Sequence, residues 1–483
     1  MTGHRRSHDG DDLERYLDWR VEKLEMDRAR LLKGAAGAAA AGMTASLLGA
    51  GSAFARRFGS EANPVQGQTL DVFRANHVPF YEFAGKRFEQ QYDAKLNWTR
   101  EAFGLIPSKL TPAFQSGGHT WDVAYMWRAW VEQYREFLTP LSDIGYTLPA
   151  GKKNDMLPVS YKQIVSGHDG KVYGLPSNVY TYVLYGNKKR LARIGVKKLP
   201  QTYSDFVALA KELTSKDKKS LGYTDGWAPL YLFPKWCVWL QLNGGELFAG
   251  AHGPVHFDSP QAMQATQDMI NLLPYMPKES ITSPWGIYDV EAKKLFFSGQ
   301  AAMLIDYQHI WYEAQDPSQS KVGVGNVLVD LIPGRKKLTG GKVGPRSAGQ
   351  FVGECFVIPK TSKKKEAALE LLKYLSNPVT QIGLLTQRKA IEQFDPAGED
   401  GFPAYKSDYV SRAVKGADRR IVQVTAAQQR YPGKRYETRP AYQAMSDAIE
   451  AAVSAALNKQ KDVETAHKQA QKAIDAIIAK EQI

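Results

Sequence analysis

Apolar positions along this chain switch between two spacings. In Thr69-Leu70-Asp71-Val72-Phe73 they alternate with polar ones, which predicts a first strand. Pro79 follows and can open a helix, because its missing N–H costs nothing in a first turn. Phe80, Phe83, Ala84 and Phe88 then recur at helical spacing. After Gly117-Gly118, the apolar run Trp121-Asp122-Val123-Ala124-Tyr125-Met126 predicts a buried strand. Thr202 and Asp205 form a capping-box-like pair ahead of Phe206, Leu209, Ala210 and Leu213 on one helical face. A later helix is expected from about Ser362, with Ala368, Leu371, Leu372 and Leu375 inward and Asn377-Pro378 as its stop. The Ala-rich C-terminus predicts two helices broken near Asn458, and Gly340-Gly341 marks a loop. No internal repeat is visible. The alternation predicts an α/β fold with helices flanking its sheets.

The first 55 residues follow a different pattern. A charged lead runs to Lys33, an Ala/Gly-rich apolar stretch spans Gly34 to Gly51, and Ser52-Ala53-Phe54-Ala55 supplies small residues of the A-x-A kind. Residues 1–55 are therefore expected to be a cleavable export signal, with the mature chain beginning near Arg56. Asp27-Arg28-Ala29-Arg30-Leu31-Leu32-Lys33 is similar to a twin-arginine signal but carries Ala29 where the second arginine belongs. The Ala/Gly composition suits a lipid-spanning helix poorly, which leaves an uncleaved anchor as the alternative. No cysteine follows the stretch, so there is no lipoprotein attachment point.

With 483 residues, 43% hydrophobic and 23% charged, the chain has the makings of two packed domains. Its net charge is +13, and the excess lies beyond the balanced first 55 residues. No basic run interleaved with aromatics accompanies it, so solubility rather than nucleic-acid binding is the expected role of the charge. Cys237 and Cys355 lack metal spacing. Two lone buried thiols are the default, and one disulfide in an oxidising compartment is the alternative.

Three segments occur in the order found in extracellular solute-binding proteins, the family that includes the maltose-binding proteins. Asp169-Gly170-Lys171-Val172-Tyr173-Gly174-Leu175-Pro176, then Tyr185-Gly186-Asn187-Lys188, resembles the family's passage between lobes, with Gly186 in place of a second tyrosine. Phe296-Phe297-Ser298-Gly299-Gln300-Ala301-Ala302-Met303 resembles the lead into its second crossing. Phe356-Val357-Ile358-Pro359-Lys360 through Ala368 resembles the strand, turn and helix that open its last part. The resemblance implies a two-lobed periplasmic-binding-protein fold of type II, with a ligand cleft between lobes joined by crossing strands. It implies a first lobe of 69–176 plus 306–358 and a second of 177–305 plus 359–483.

Sugars present hydroxyls and apolar faces, which carboxylates, amides, arginine and planar aromatics can engage. Arg74, Asn76 and His77 follow the first strand, where open sheets aim their carboxyl ends at ligands. Tyr180 and Tyr182 are placed by alternation on one face of a strand. Trp285 lies in a Ser/Pro/Gly loop, where a core role is harder to explain, and Glu354 follows Gly353 at a strand start. The resemblance adds Trp127, Trp236, Tyr307 and Trp311 as cleft candidates. The competing readings are Arg74 as a solvated loop charge, His77 as a satisfied structural histidine, Trp127 in a helix core, Trp311 packed at the hinge and Glu354 as a strand-end surface charge, with a core stripe for Trp239, the helical neighbour of Trp236.

The chain lacks H-E-x-x-H, C-x-x-C, G-x-S-x-G and a complete phosphate loop; Gly344 to Gly349 has the loop's glycine spacing without its lysine. The expectation is a monomeric periplasmic binder with no cofactor, no metal site and no catalysis. It would pass a sugar or oligosaccharide to the membrane permease of an ABC importer. The alternatives are a polyamine, iron or phosphorylated ligand on the same fold, or a secreted carbohydrate-active hydrolase.

Overall fold

The computed structural model describes residues 63–480, apart from 167, 230, 249–252, 278–288, 348, 350–351, 397, 415, 417 and 432–440. The expected export segment therefore lies outside the described residues. Two separate main sheets organise the described chain. The first contains β1 (Thr69–Ala75), β2 (Lys95–Glu101), β3 (Val123–Trp127), β4 (Gly174–Tyr180), β11 (Val352–Val357) and β12 (Phe402–Pro403), in the order β12-β4-β11-β3-β1-β2. The second contains β5 (Tyr182–Asn187), β6 (Leu221–Thr224), β7 (Ala301–Tyr307) and β8 (Val327–Asp330), in the order β6-β7-β5-β8. Between β8 and β11 in sequence, β9 (Lys336–Lys337) and β10 (Val343–Gly344) form a short hairpin.

Local signals act where the sequence places them. Pro79 caps the helix Phe80–Tyr92, which buries Phe80, Tyr81, Ala84 and Phe88 and carries the chain from β1 to the parallel β2. Thr202 accepts the Asp205 N–H at 3.2 Å and starts the helix Tyr203–Glu212. The C-terminal helices Tyr442–Leu457 and Val463–Ile478 break around Asn458, and Asp462 caps the second by accepting the Thr465 N–H at 2.8 Å.

Thr181 alone separates β4 in the first sheet from β5 in the second. Its N–H donates to Gln308 Oε1 at 2.7 Å, and Gln308 Nε2 donates to the Val179 carbonyl at 2.7 Å. Tyr182 N–H donates to the Gly349 carbonyl at 2.7 Å. The first crossing is thus bolted to the chain just after β7 and to the approach to β11. Tyr180 and Tyr182 consequently stand on strands of two different sheets, not on one face of one strand.

The expected lobe boundaries meet a different packing. After β7 the chain stays with the second sheet, because β8 pairs antiparallel with β5, and it returns to the first sheet only at β11. The helix Lys365–Leu375 then packs on the helix Phe80–Tyr92 and on β4, and β12 extends β4's edge. Residues 359–403 therefore belong with the first lobe rather than the second. The chain crosses a third time before the helix Asp418–Gln428, which packs on β8 and β5. Non-local strand pairing decides this, and a local motif does not encode it.

Cys237 lies buried on the helix Leu232–Leu242 of the second lobe and Cys355 is buried on β11 of the first, and no disulfide joins them. Among the described residues, no helix is long and apolar enough to cross a membrane.

Candidate functional site

The parallel strands β1 and β3 end on the same side of the first sheet, and the loops beyond them face the end of β7. A cavity of about 320 Å³ lies there. From the first lobe it takes Asn76, His77, Phe103, Tyr180, Glu354 and Glu399; from the second, Lys293, Asp306, Tyr307, His309 and Ile310. A larger hollow of about 910 Å³, lined by Tyr203, Val207, Ile270, Pro274 and Tyr275, draws on the second lobe alone. Of these two hollows, the first is the one that can register the approach of one lobe to the other.

Arg74 does not face this cavity. It is fully buried, donates to Glu82 Oε2 from Nε at 3.1 Å and Nη2 at 2.9 Å, and donates through Nη1 to the carbonyls of Ala75 and Asn76. Burial lowers its pKa against the pull of Glu82. A short loop has too few internal bonds to hold its shape, and this guanidinium supplies them. Asn76 and His77 are presented by the loop that Arg74 ties down.

His77 Nε2 meets Glu354 Oε1 at 3.2 Å. Burial opposes charging of this imidazole, but Glu354, with Glu399 and Asp400 behind it, outweighs burial and raises the pKa. The His77 carbonyl also accepts the Glu399 N–H at 2.9 Å, which fixes Glu399 on the first lobe. Tyr307 is the aromatic centre of the site. Tyr182 stacks on it at 4.3 Å between centroids and donates its hydroxyl to the Tyr307 hydroxyl at 3.0 Å, while Tyr180 meets its edge at 5.4 Å. Tyr182 itself is fully buried beneath Tyr307 and supports the cavity rather than lining it.

An ion pair spans the lobes. Lys293, on the helix Asp289–Phe297, reaches Glu399 at 2.9 Å and Glu313 at 2.8 Å. Burial opposes ionisation of all three. Lys293, with His309 and His77, nonetheless pulls Glu399 down to about 2, whereas burial leaves Glu313 up at about 7. His309, Glu313 and Glu399 offer ligand atoms within 4.8 Å of one another. The Lys293 ammonium supplies positive charge to both carboxylates of this cluster.

Burial pushes His309 down to about 3, against the opposing pull of Glu399. With a folded-state pKa below the ordinary 6.5, the native ring stays neutral while the unfolded chain takes up a proton. Its contribution to stability is complete above 6.5 and declines toward 3, at about 1.4 kcal/mol per pH unit. NMR titration of the ring should show neutral imidazole at mildly acid pH; an inflection near 6.5 would contradict this burial.

Five of the residues singled out from sequence line the cavity: Asn76, His77, Tyr180, Tyr307 and Glu354. Trp236 does not. It is fully buried in the second lobe, donates Nε1 to Thr266 Oγ1 at 2.9 Å and packs on Phe257. Trp311 is buried as well, with Nε1 donating to Asp418 at 3.0 Å, so it anchors the helix after the third crossing. Trp127 lies beside the cavity without lining it, half-buried, and packs edge-on against Trp130 and against Tyr442 of the second lobe. Trp285 lies outside the described residues. Sequence reading missed Phe103, Lys293, Asp306, His309 and Glu399. Asp306 and His309 flank Tyr307 at a strand end and were accessible to the strand-end argument, whereas Lys293 and Glu399 carry no local signal.

The model of the family described as bacterial extracellular solute-binding protein matches residues 84–393. The chain belongs to this family. Among curated relatives of this solute-binding protein, the arabinooligosaccharide-binding protein of Halalkalibacterium halodurans is 23% identical over 63% of the chain and 68% of that protein. The maltooligosaccharide ABC transporter solute-binding lipoprotein of Streptococcus pneumoniae is 26% identical over 44% of the chain, and the match spans about half of that protein, 47%. Among solved structures, a solute-binding protein of Agrobacterium radiobacter in complex with ribitol aligns with TM-score 0.68 at 23% identity, covering 86% of this chain and 100% of that one. Maltose-bound MalE3 of T. maritima aligns with TM-score 0.70 at 22% identity, covering 85% and 100%. The fold is the two-lobed periplasmic-binding-protein fold of type II, with its cleft at the strand crossings.

Proposed function

We propose that this protein is the substrate-binding component of an ABC importer, that it captures a small sugar or polyol between its lobes, and that it delivers this cargo to a membrane permease. The observation that carries the reading is a cavity to which both lobes contribute polar and aromatic side chains. A ligand that touches both lobes favours their closed arrangement, because only there does it make all its contacts. At about 320 Å³ the cavity sits at the small end of ligand sites, which supports a monosaccharide or polyol over a long oligosaccharide. Relatives named for arabinooligosaccharide and maltooligosaccharide, and neighbours holding ribitol and maltose, support the chemical class.

The lobes move about the three crossings, and Tyr307 with Tyr180 covers an apolar sugar face while Asn76, His77 and Glu354 engage hydroxyls. The protein is exported to the periplasm by its N-terminal segment and returns its cargo unchanged. Family membership among binding proteins supports the absence of catalysis.

A thermal-shift screen with sugars and polyols, followed by calorimetry and recovery of the ligand, tests the reading. A ligand selective for the native state raises the melting temperature. Tyr307→Ala should weaken that ligand by about tenfold or more, since it removes the central ring. Unchanged affinity per folded molecule, or conversion of the ligand to a product, would overturn the proposal.

A further inference from the structure

The cavity's charge is unbalanced in a way that a neutral sugar leaves uncorrected. Among the described residues its lining holds three carboxyl groups, Asp306, Glu354 and Glu399, against two cationic side chains, Lys293 and the His77 imidazole whose pKa Glu354 helps to raise, and no arginine. The lining's ammonium, Lys293, is already paired with Glu399 and Glu313. Lys235 behind Asp306 is paired with Asp225 at 2.7 Å. His309 is kept neutral by burial and adds no positive charge.

Glu354 is the decisive residue. It is 2% exposed; Oε1 faces His77, and Oε2 has no hydrogen-bond partner among the described residues. A buried carboxylate oxygen without a donor is costly, so some group supplied from the cavity is favoured there. Aromatic rings surround the pair. His77 lies 5.5 Å from Phe103 and 6.0 Å from both Tyr125 and Tyr180, edge-on to the first two. Rings of this kind attract a cation through their faces as well as shedding water. A second buried atom, His309 Nδ1, also lacks a partner among the described residues, and His309 lines the same cavity, where a ligand hydroxyl can satisfy it.

We propose that the cargo is a polyhydroxylated molecule bearing one protonated amine, an amino sugar or amino polyol, with its ammonium seated against Glu354 and its hydroxyls toward Asn76 and His309. This rests on the sugar reading above and adds the charge. A hydroxyl would give Glu354 Oε2 one hydrogen bond, whereas an ammonium gives that bond and a full positive charge beside the one that His77 offers at Oε1. The same surplus of carboxylates disfavours uronates and sugar phosphates.

Calorimetry on the full-length mature protein decides the matter with matched probes: glucose, glucosamine, N-acetylglucosamine and glucuronate, the galactose counterparts, glucitol with glucamine, and putrescine as an amine without a sugar frame. An amino form should bind about tenfold or more tighter than its neutral and N-acetylated counterparts, with the acid form weakest. Glu354→Gln, which keeps the shape and removes the charge, should abolish that preference, so that amino and neutral forms bind alike. If that variant fails to fold, the ordering of probes on the unaltered protein still decides. A neutral sugar binding as tightly as its amino form overturns the inference and leaves the sugar reading standing. Putrescine binding with no sugar overturns the sugar reading and, with it, the polyhydroxylated cargo. Failure of every probe overturns both.

Discussion

Lys235→Met lowers the unfolding free energy by about 3–5 kcal/mol, the cost of stranding one partner of a buried ion pair. Lys235 and Asp225 are each about 1% exposed and meet at 2.7 Å. Asp225 also accepts the Tyr223 hydroxyl and, at 2.9 Å, the Gly226 N–H. Lys235 donates to the Ile305 carbonyl at 2.7 Å and stands 3.9 Å from the centre of the Tyr182 ring. Methionine retains the apolar stem and removes every one of these charge contacts. Asp225 is then a carboxylate in a dry interior, and the native state is the one that suffers. Against a total stability of about 5–15 kcal/mol, that is a large fraction. The double variant Lys235→Met/Asp225→Asn should recover most of the loss, because it removes the stranded charge. Urea unfolding of the three proteins measures this; a single-variant loss below about 1 kcal/mol would show that the pair contributes little. Ligand affinity should fall too, since Lys235 seats Tyr182 beneath Tyr307.

Gly349→Ala is expected to cost about 2–4 kcal/mol and to disturb ligand capture with it. Gly349 has φ +68°, a conformation that side chains disfavour. A Cβ there would lie 2.4 Å from the Tyr182 carbonyl oxygen and 2.7 Å from Thr181 Oγ1. Backbone at the crossing must therefore move, and the Gly349 carbonyl that receives Tyr182 N–H and Thr181 Oγ1 moves with it. The strain falls where the lobes join, so the variant should alter the ligand-dependent change in radius of gyration seen by small-angle scattering. Unchanged stability together with an unchanged scattering response would refute a hinge role for this glycine.

Much of the fold could be read along the chain because it is written in short-range chemistry. Pro79, Thr202 and the pattern from Ala368 to Leu375 each act within a turn or two of their own position. The ordered motifs around Gly174, Gly299 and Ile358 identify the family, since they report the crossings and the last strand. The site was legible only in part. Asn76 and His77 follow the end of β1 and Glu354 lies near the start of β11, positions that sequence can suggest. Trp236 and Trp311 misled because a core and a cleft both select large aromatics, and spacing does not reveal which surface a ring meets.

By itself, the sequence determined the α/β alternation, the family and the strand ends from which a site could be built. The tertiary structure decided which lobe owns residues 359–403, that Arg74 holds a loop, and that Lys293 and Glu399 meet across the lobes. The reason is range. Capping and periodicity act over a few residues, whereas Lys293 and Glu399 stand 106 residues apart. A pair so distant exists only once both sheets have formed, and nothing near either residue announces its partner.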